Sequence, residues 1–270
     1  MFAQRLIFPF VMLALLALYL TWSVDETYSL WIVPPVLISA AIYVFAPQIN
    51  WWWYLRTPPP MDPMVKTLLG KHLPFYDRLS PDDKKKFDHR LGLYQMSIEW
   101  RSQGMDQVPA DVQGLISACP VWLTFNRDDF TFEKFEDIVV YPHAFPSPQY
   151  PRTLHSSEIF EEDGVIIFSL EHFMPGFLET KKYYQIGLHE YAKIFRKTYP
   201  NENYPTLNDD FWQKLPQING LTKAKLEQFI GLKDLEPFPV AVVHYFVFPE
   251  KFEEVFPTAA TALKSIFGAV

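Results

Sequence analysis

Hydrophobic and polar positions divide the chain into two unlike stretches. Leu6–Trp22 carries no charged residue, Leu30–Ile49 is a second uncharged run, and Val24-Asp-Glu-Thr-Tyr-Ser29 lies between them. At 17 and 20 residues, each is about as long as a helix that crosses the hydrocarbon core of a bilayer. No small-residue cleavage site follows the first run, so it reads as a spanning helix and not as a removable signal. The second run follows so closely that a two-helix hairpin is predicted, with Pro34 and Pro35 inside its second helix, where membrane helices tolerate proline.

After position 60 the pattern becomes that of a folded domain. Ser80 is placed to cap a helix that has Pro81 at its first position and Asp82 and Asp83 in its first turn. That helix is predicted to run to about Gln103, with Phe87, Leu91, Tyr94 and Ile98 on one face. Val108–Trp122 reads as a second helix, ended near Pro120. Ile138–Tyr141 and Val165–Ser169 read as strands, His155–Phe160 as an edge strand, Pro142–Arg152 as a proline-punctuated loop and Glu161–Gly164 as a turn. Helices are predicted over about Lys181–Tyr199, Leu221–Gly231, Val240–Phe248 and Thr258–Phe267. Helices around a small sheet make the class α+β. The late aromatic residues Phe238, Tyr245, Phe246, Phe248, Phe252 and Phe256 recur at helical spacing and read as core.

Charge supplies an orientation. Arg5 precedes the first span, the connection is acidic, and Arg56, Lys66 and Lys71 follow the second. The positive-inside bias puts both termini on the cytoplasmic side, with Trp51, Trp52, Trp53 and Tyr54 as an aromatic belt at that interface and Arg56 beside it. Pro58-Pro59-Pro60 forms a stiff exit linker. The expected organisation is a membrane anchor over 1–60 and a cytoplasmic domain over 61–270, with the lipid bilayer as one partner. With 24 Lys+Arg against 31 Asp+Glu, the net charge of −7 excludes a general nucleic-acid binder, which needs a basic face. Lys84-Lys85-Lys86 reads as a solvated helix face. The single cysteine, Cys119, excludes an internal disulfide framework and suits a reducing compartment.

One stretch carries chemistry. Gly187-Leu-His-Glu-Tyr-Ala-Lys193 begins like the H-E-x-x-H helix of zinc peptidases, in which two histidines one turn apart bind the metal and the glutamate activates its water. Lys193 stands at the second histidine position, and a protonated ammonium has no lone pair for zinc. Either Lys193 pairs with Glu190 at i, i+3 or both face solvent. Asp128-Asp129 and Asp209-Asp210 read as turn or cap residues. His143, His155 and His172 lack paired ligand spacing and read as structural. Ser156, Ser157 and Ser169 lack a G-x-S-x-G context.

Several longer segments resemble one family. Leu73-Pro-Phe-Tyr-Asp-Arg-Leu-Ser-Pro-Asp-Asp-Lys-Lys-Lys-Phe87, Val139-Val-Tyr-Pro-His-Ala-Phe145, Leu188-His-Glu-Tyr-Ala192 and Glu236-Pro-Phe-Pro-Val-Ala-Val-Val-His-Tyr-Phe246 are similar to segments of the M90 zinc metallopeptidases, the Mlc titration factor A-like proteins, over about residues 72–257. The resemblance implies a bacterial source, the inner membrane as location and a gluzincin-like cytoplasmic domain. It also implies His189 as first ligand and Glu190 as general base. The family's second and third ligand positions fall on Lys193 and Val243. His244, next to Val243, is rotated by about 100° on a helix. The expectation is a degenerate, catalytically inactive peptidase-like domain without cofactor, serving a membrane-protein or regulatory partner. The alternative is an active zinc peptidase with a rebuilt ligand set such as His189, His244 and a loop residue, with Glu190 as its base. A membrane-surface lipid enzyme has position alone in its favour.

Overall fold

The structure is a computed structural model that describes residues 2–58 and 60–269; Met1, Pro59 of the proline linker and Val270 lie outside the described residues. The chain divides into two compact units, residues 1–60 and 61–270.

In the first unit, α1 (Phe2–Ser23) packs against a 3₁₀ segment (Glu26–Ile32) and α2 (Val33–Val44), and α3 (Ala46–Tyr54) follows. Asp25 starts the return by accepting the Thr27 N–H at 2.8 Å. The predicted continuous helix over Leu30–Ile49 is corrected here: it is a 3₁₀ turn and two helices, broken at Phe45. Pro34, Pro35 and Pro47 sit in the first turns of α2 and α3. The fixed φ of proline is already helical, and within α2 and α3 themselves these first-turn positions have no i−4 carbonyl, so the prolines suit helix starts. Phe2–Ser23 and Glu26–Val44 are long and apolar enough to cross a membrane. Leu13, Leu16, Trp22, Leu37 and Tyr43 point outward, a surface matched to lipid better than to water. The belt residues lie on and just after α3. Trp53 stacks on Phe2 with ring centroids 4.0 Å apart, and the Arg56 guanidinium lies 4.1 Å from the centre of the Trp52 ring.

The second unit is mixed α+β. Two short helices, α4 (Pro63–His72) and α5 (Pro74–Arg78), lead into α6 (Pro81–Ser97), which Ser80 caps by accepting the Asp83 N–H at 3.1 Å. α6 stops where the sequence pattern continues, because Glu99–Ser102 leaves as strand β1 to pair with β2 (Asp137–Tyr141). Between them α7 (Ala110–Leu123) runs through Pro120 to Leu123. β3 (Ser157–Phe160) and β4 (Val165–Ser169) complete a sheet of order β1-β2-β4-β3, parallel except for the antiparallel edge strand β3.

α8 (Leu170–Leu178) and α9 (Ile186–Thr198) follow the sheet. The expected start of α9 at about Lys181 moves to Ile186, because the Gln185 side chain caps the helix by accepting the Gly187 N–H at 2.8 Å. Then come α10 (Asp210–Lys214), α11 (Pro216–Asn219), α12 (Lys223–Ile230), α13 (Pro237–Val247), α14 (Pro249–Val255) and α15 (Pro257–Phe267). α9 is the central helix. It is covered by α13, α7, α8 and β3, and its Leu188, Tyr191 and Phe195 are buried with Ile138, Phe168 and Val242 in one core. Of the aromatic tail, Phe238, Tyr245, Phe246 and Phe252 are buried in that core, and Phe248 and Phe256 pack against it.

Candidate functional site

Burial is what makes α9 chemically unusual. Gly187 lets it approach its neighbours: a Cβ there would come within 2.5 Å of Cys119 Sγ and 2.8 Å of a Phe173 ring carbon, closer than real carbon contacts allow. The next turn therefore carries His189 and Glu190 at 3% and 1% exposure. Cys119 is itself buried, which pushes its thiol far above the ordinary range, so it packs as a small hydrophobe.

A buried carboxylate must be compensated. Ser157 on β3 donates its hydroxyl to Glu190 Oε1 at 2.7 Å. The Lys193 ammonium sits 2.7 Å from Oε2, an ion-pair contact whose angle is not that of a hydrogen bond. Of the two arrangements left open by the sequence, the paired one forms. Burial pushes the Glu190 carboxyl up, but Lys193, His189 and Ser157 together hold it below the usual carboxylate range. His189 is kept neutral: burial lowers it to about 4, with Glu190 and Lys193 acting in opposite senses. Its Nδ1 is hydrogen-bonded to the Tyr184 hydroxyl at 2.8 Å.

α13 packs on α9 and carries the other two expected positions. Val243 is buried. His244 is fully buried and lowered to about 4 by desolvation. Its Nδ1 lies 2.7 Å from the Val240 carbonyl and its Nε2 3.2 Å from Asn219 Nδ2. A carbonyl can only accept, so Nδ1 carries the proton and Nε2 accepts from Asn219. Both nitrogens are occupied, and the Tyr184 ring neighbours both histidines, with ring centroids 5.7 Å from His189 and 6.3 Å from His244.

The outer face of α9 opens into a cleft of about 1030 Å³ lined by His189, Lys193 and Lys197, by Ile159 and Phe160 of β3, and by the Leu232–Glu236 loop and Tyr150. Lys134 and Lys197 both pair with Glu161 at its rim. The remaining candidates sit elsewhere in local bonds. His143 meets Glu171 at the surface, and His172 bonds Ser169 Oγ at 3.1 Å and is lowered by burial. His155 is buried with Nε2 2.9 Å from Glu158 and Nδ1 3.0 Å from the Thr153 carbonyl. Asp129 pairs with Arg127 and Asp210 with Lys214.

Three residues of the site were not singled out for it from sequence: Ser157, Tyr184 and Asn219. None has a local signature; only the pairing of β3 beside α9 and the burial of the imidazoles reveal them.

The donor set does not fit zinc. The three positions expected from the resemblance to carry ligands hold an imidazole, an ammonium held on a carboxylate and a buried valine. Among the described residues no group of three or more His, Cys, Asp and Glu side chains is placed to hold a metal ion.

The model of the family described as glucose-regulated metallo-peptidase M90 matches residues 50–268. An uncharacterised protein of Synechocystis sp. is 24% identical over 129 residues, which is 48% of this chain and 46% of the relative. The chain thus spans about half the length of that curated relative.

Proposed function

The chain belongs to the M90 family of metallopeptidases, and from that premise we propose that it is a membrane-anchored member without catalysis, acting as an accessory or regulatory subunit of an inner-membrane assembly. The observation that carries the reading is the Lys193 ammonium 2.7 Å from Glu190. In the family's arrangement the glutamate must be free to take a proton from metal-bound water. Here it neutralises a fixed cation that stands in a ligand position, so its basicity is reduced and a dication is repelled. Ser157 takes up the other carboxylate oxygen.

What remains is a recognition surface. A gluzincin-like arrangement is supported by an antiparallel edge strand, β3, lying beside α9 with Ile159 and Phe160 on the cleft. An extended segment of a partner fits such an edge by strand addition. The apolar hairpin supports anchoring. Arg5 before it and Arg56, Lys66 and Lys71 after it support a cytoplasmic domain.

Peptide hydrolysis by the full-length chain in lipid nanodiscs, with and without added Zn²⁺, tests the reading. No turnover is expected in either state. Turnover that disappears in Glu190→Gln contradicts it.

A further inference from the structure

Tyr184 and His189 decide what the cleft offers to a ligand. The Tyr184 hydroxyl is buried, and its only hydrogen-bond partner among the described residues is His189 Nδ1, at 2.8 Å. Two tautomers satisfy that distance. If Nδ1 carries the proton, it donates to the tyrosine oxygen and the hydroxyl proton is left buried with no acceptor. If Nε2 carries it, the hydroxyl donates to Nδ1 and nothing is stranded. An orphaned buried donor is disfavoured, so the second arrangement holds. The hydroxyl differs here from the carbonyl or carboxylate that usually orients a metal-binding histidine, which forces the proton onto the nitrogen away from the metal.

Nε2 has no partner among the described residues, and it is left to the cleft that His189 helps to line. Lys193 lines the same cleft one helical turn on, its side chain 27% exposed. The ammonium holds Glu190 as an ion pair, and its three protons are donors that a ligand in the cleft can meet.

We propose that the His189 Nε2–H and the Lys193 ammonium form a two-donor seat for a single peptide oxygen, in the place where the family's ligand positions would gather a metal. The ligand class is a main-chain carbonyl or terminal carboxylate of an extended segment seated along Ile159 and Phe160. Tyr184 is a positioning residue for this seat. The inference rests on the non-catalytic reading above and adds what the cleft grips.

The test uses the full-length chain in nanodiscs with ¹⁵N-labelled histidine, the His189 signals being assigned by their loss in His189→Asn. The expected spectrum shows a protonated, pyrrole-type Nε2 and a pyridine-type Nδ1, with that bias lost in Tyr184→Phe. A protonated Nδ1 in the unmutated chain overturns the proposal. Acetyl-Leu-Leu-amide and acetyl-Leu-Leu free acid are then titrated in separately. A saturable shift of the His189 Nε2 signal with the amide supports the seat and assigns it to a carbonyl. A shift with the free acid alone supports it and assigns a carboxylate. No shift with either overturns it. Lys193→Met should weaken the binding about tenfold, the scale of one lost charge-assisted hydrogen bond, whereas Lys193→Arg retains it. Tautomer and titration are both read on the unmutated chain, so they stand even if a variant fails to fold. Zinc-dependent hydrolysis would sink the functional reading itself. The wrong tautomer in a metal-free, inactive chain would sink only the seat.

Discussion

α9 and α13 pack together and each carries a buried histidine, but their polar groups are satisfied in opposite ways. On α13, His244 is closed off, with one nitrogen on the Val240 carbonyl and the other on Asn219. On α9, His189 spends one nitrogen on Tyr184, and beside it the buried Glu190 carboxylate is paired with the Lys193 ammonium, which lines an open cleft. The difference separates packing from chemistry. α13 keeps an apolar face against the core, with Val243 buried in it. α9 keeps a charged and polar site built around the Glu190–Lys193 salt bridge.

The largest expected effect treats both helices alike. His189 and His244 are each lowered to about 4, below an ordinary histidine near 6.5. The unfolded chain therefore takes up these protons first. Stability should be full above about pH 6.5 and fall as the pH drops toward 4, each histidine withdrawing about 3 kcal/mol. Glu190, also held low, acts in the same sense: its contribution exists above the unfolded carboxylate range and is lost as pH falls through its folded value. Thermal unfolding of the full-length chain between pH 7 and 4 measures this, and a flat profile would mean that the imidazoles are solvated.

Lys193→Met should break the symmetry. It strands Glu190, which is 1% exposed, and should cost about 3 kcal/mol, at the low end for a broken buried pair because Lys193 is partly exposed. Denaturant unfolding reads the loss, and Lys193→Arg should recover most of it. A smaller effect is expected on the other helix. Asn219→Leu removes the donor to His244 Nε2 and should cost about 1–2 kcal/mol, with the His189 signals unchanged. Movement of those signals would show that the two sites are coupled through Tyr184.

Much of this framework was readable from residue order. Ser80-Pro81 with its acidic first turn set a helix start, Val165–Ser169 set a strand, and the uncharged runs at the front set two membrane-length segments. Tertiary competition accounts for what was not. Glu99–Ser102 continues a helical pattern until β2 offers it a parallel partner from about 38 residues away. α8 runs through Pro175, and no element is predicted there from the sequence pattern. Pro34 and Pro35 are visible as prolines, yet only the 3₁₀ turn ahead of them shows that they start a helix. At the site, i, i+3 spacing made the Glu190–Lys193 pair conceivable, but burial decided between pairing and exposure. Ser157 and Tyr184 reach it from a strand and a helix-leading turn whose placement no local motif encodes.

The central claim is that an ammonium has taken the place of metal coordination at this site, and zinc content tests it most directly. The full-length chain, exposed to Zn²⁺ and then dialysed, should retain no stoichiometric zinc by elemental analysis and should match His189→Ala. One equivalent that survives dialysis on the unmutated chain and disappears in His189→Ala would contradict the account.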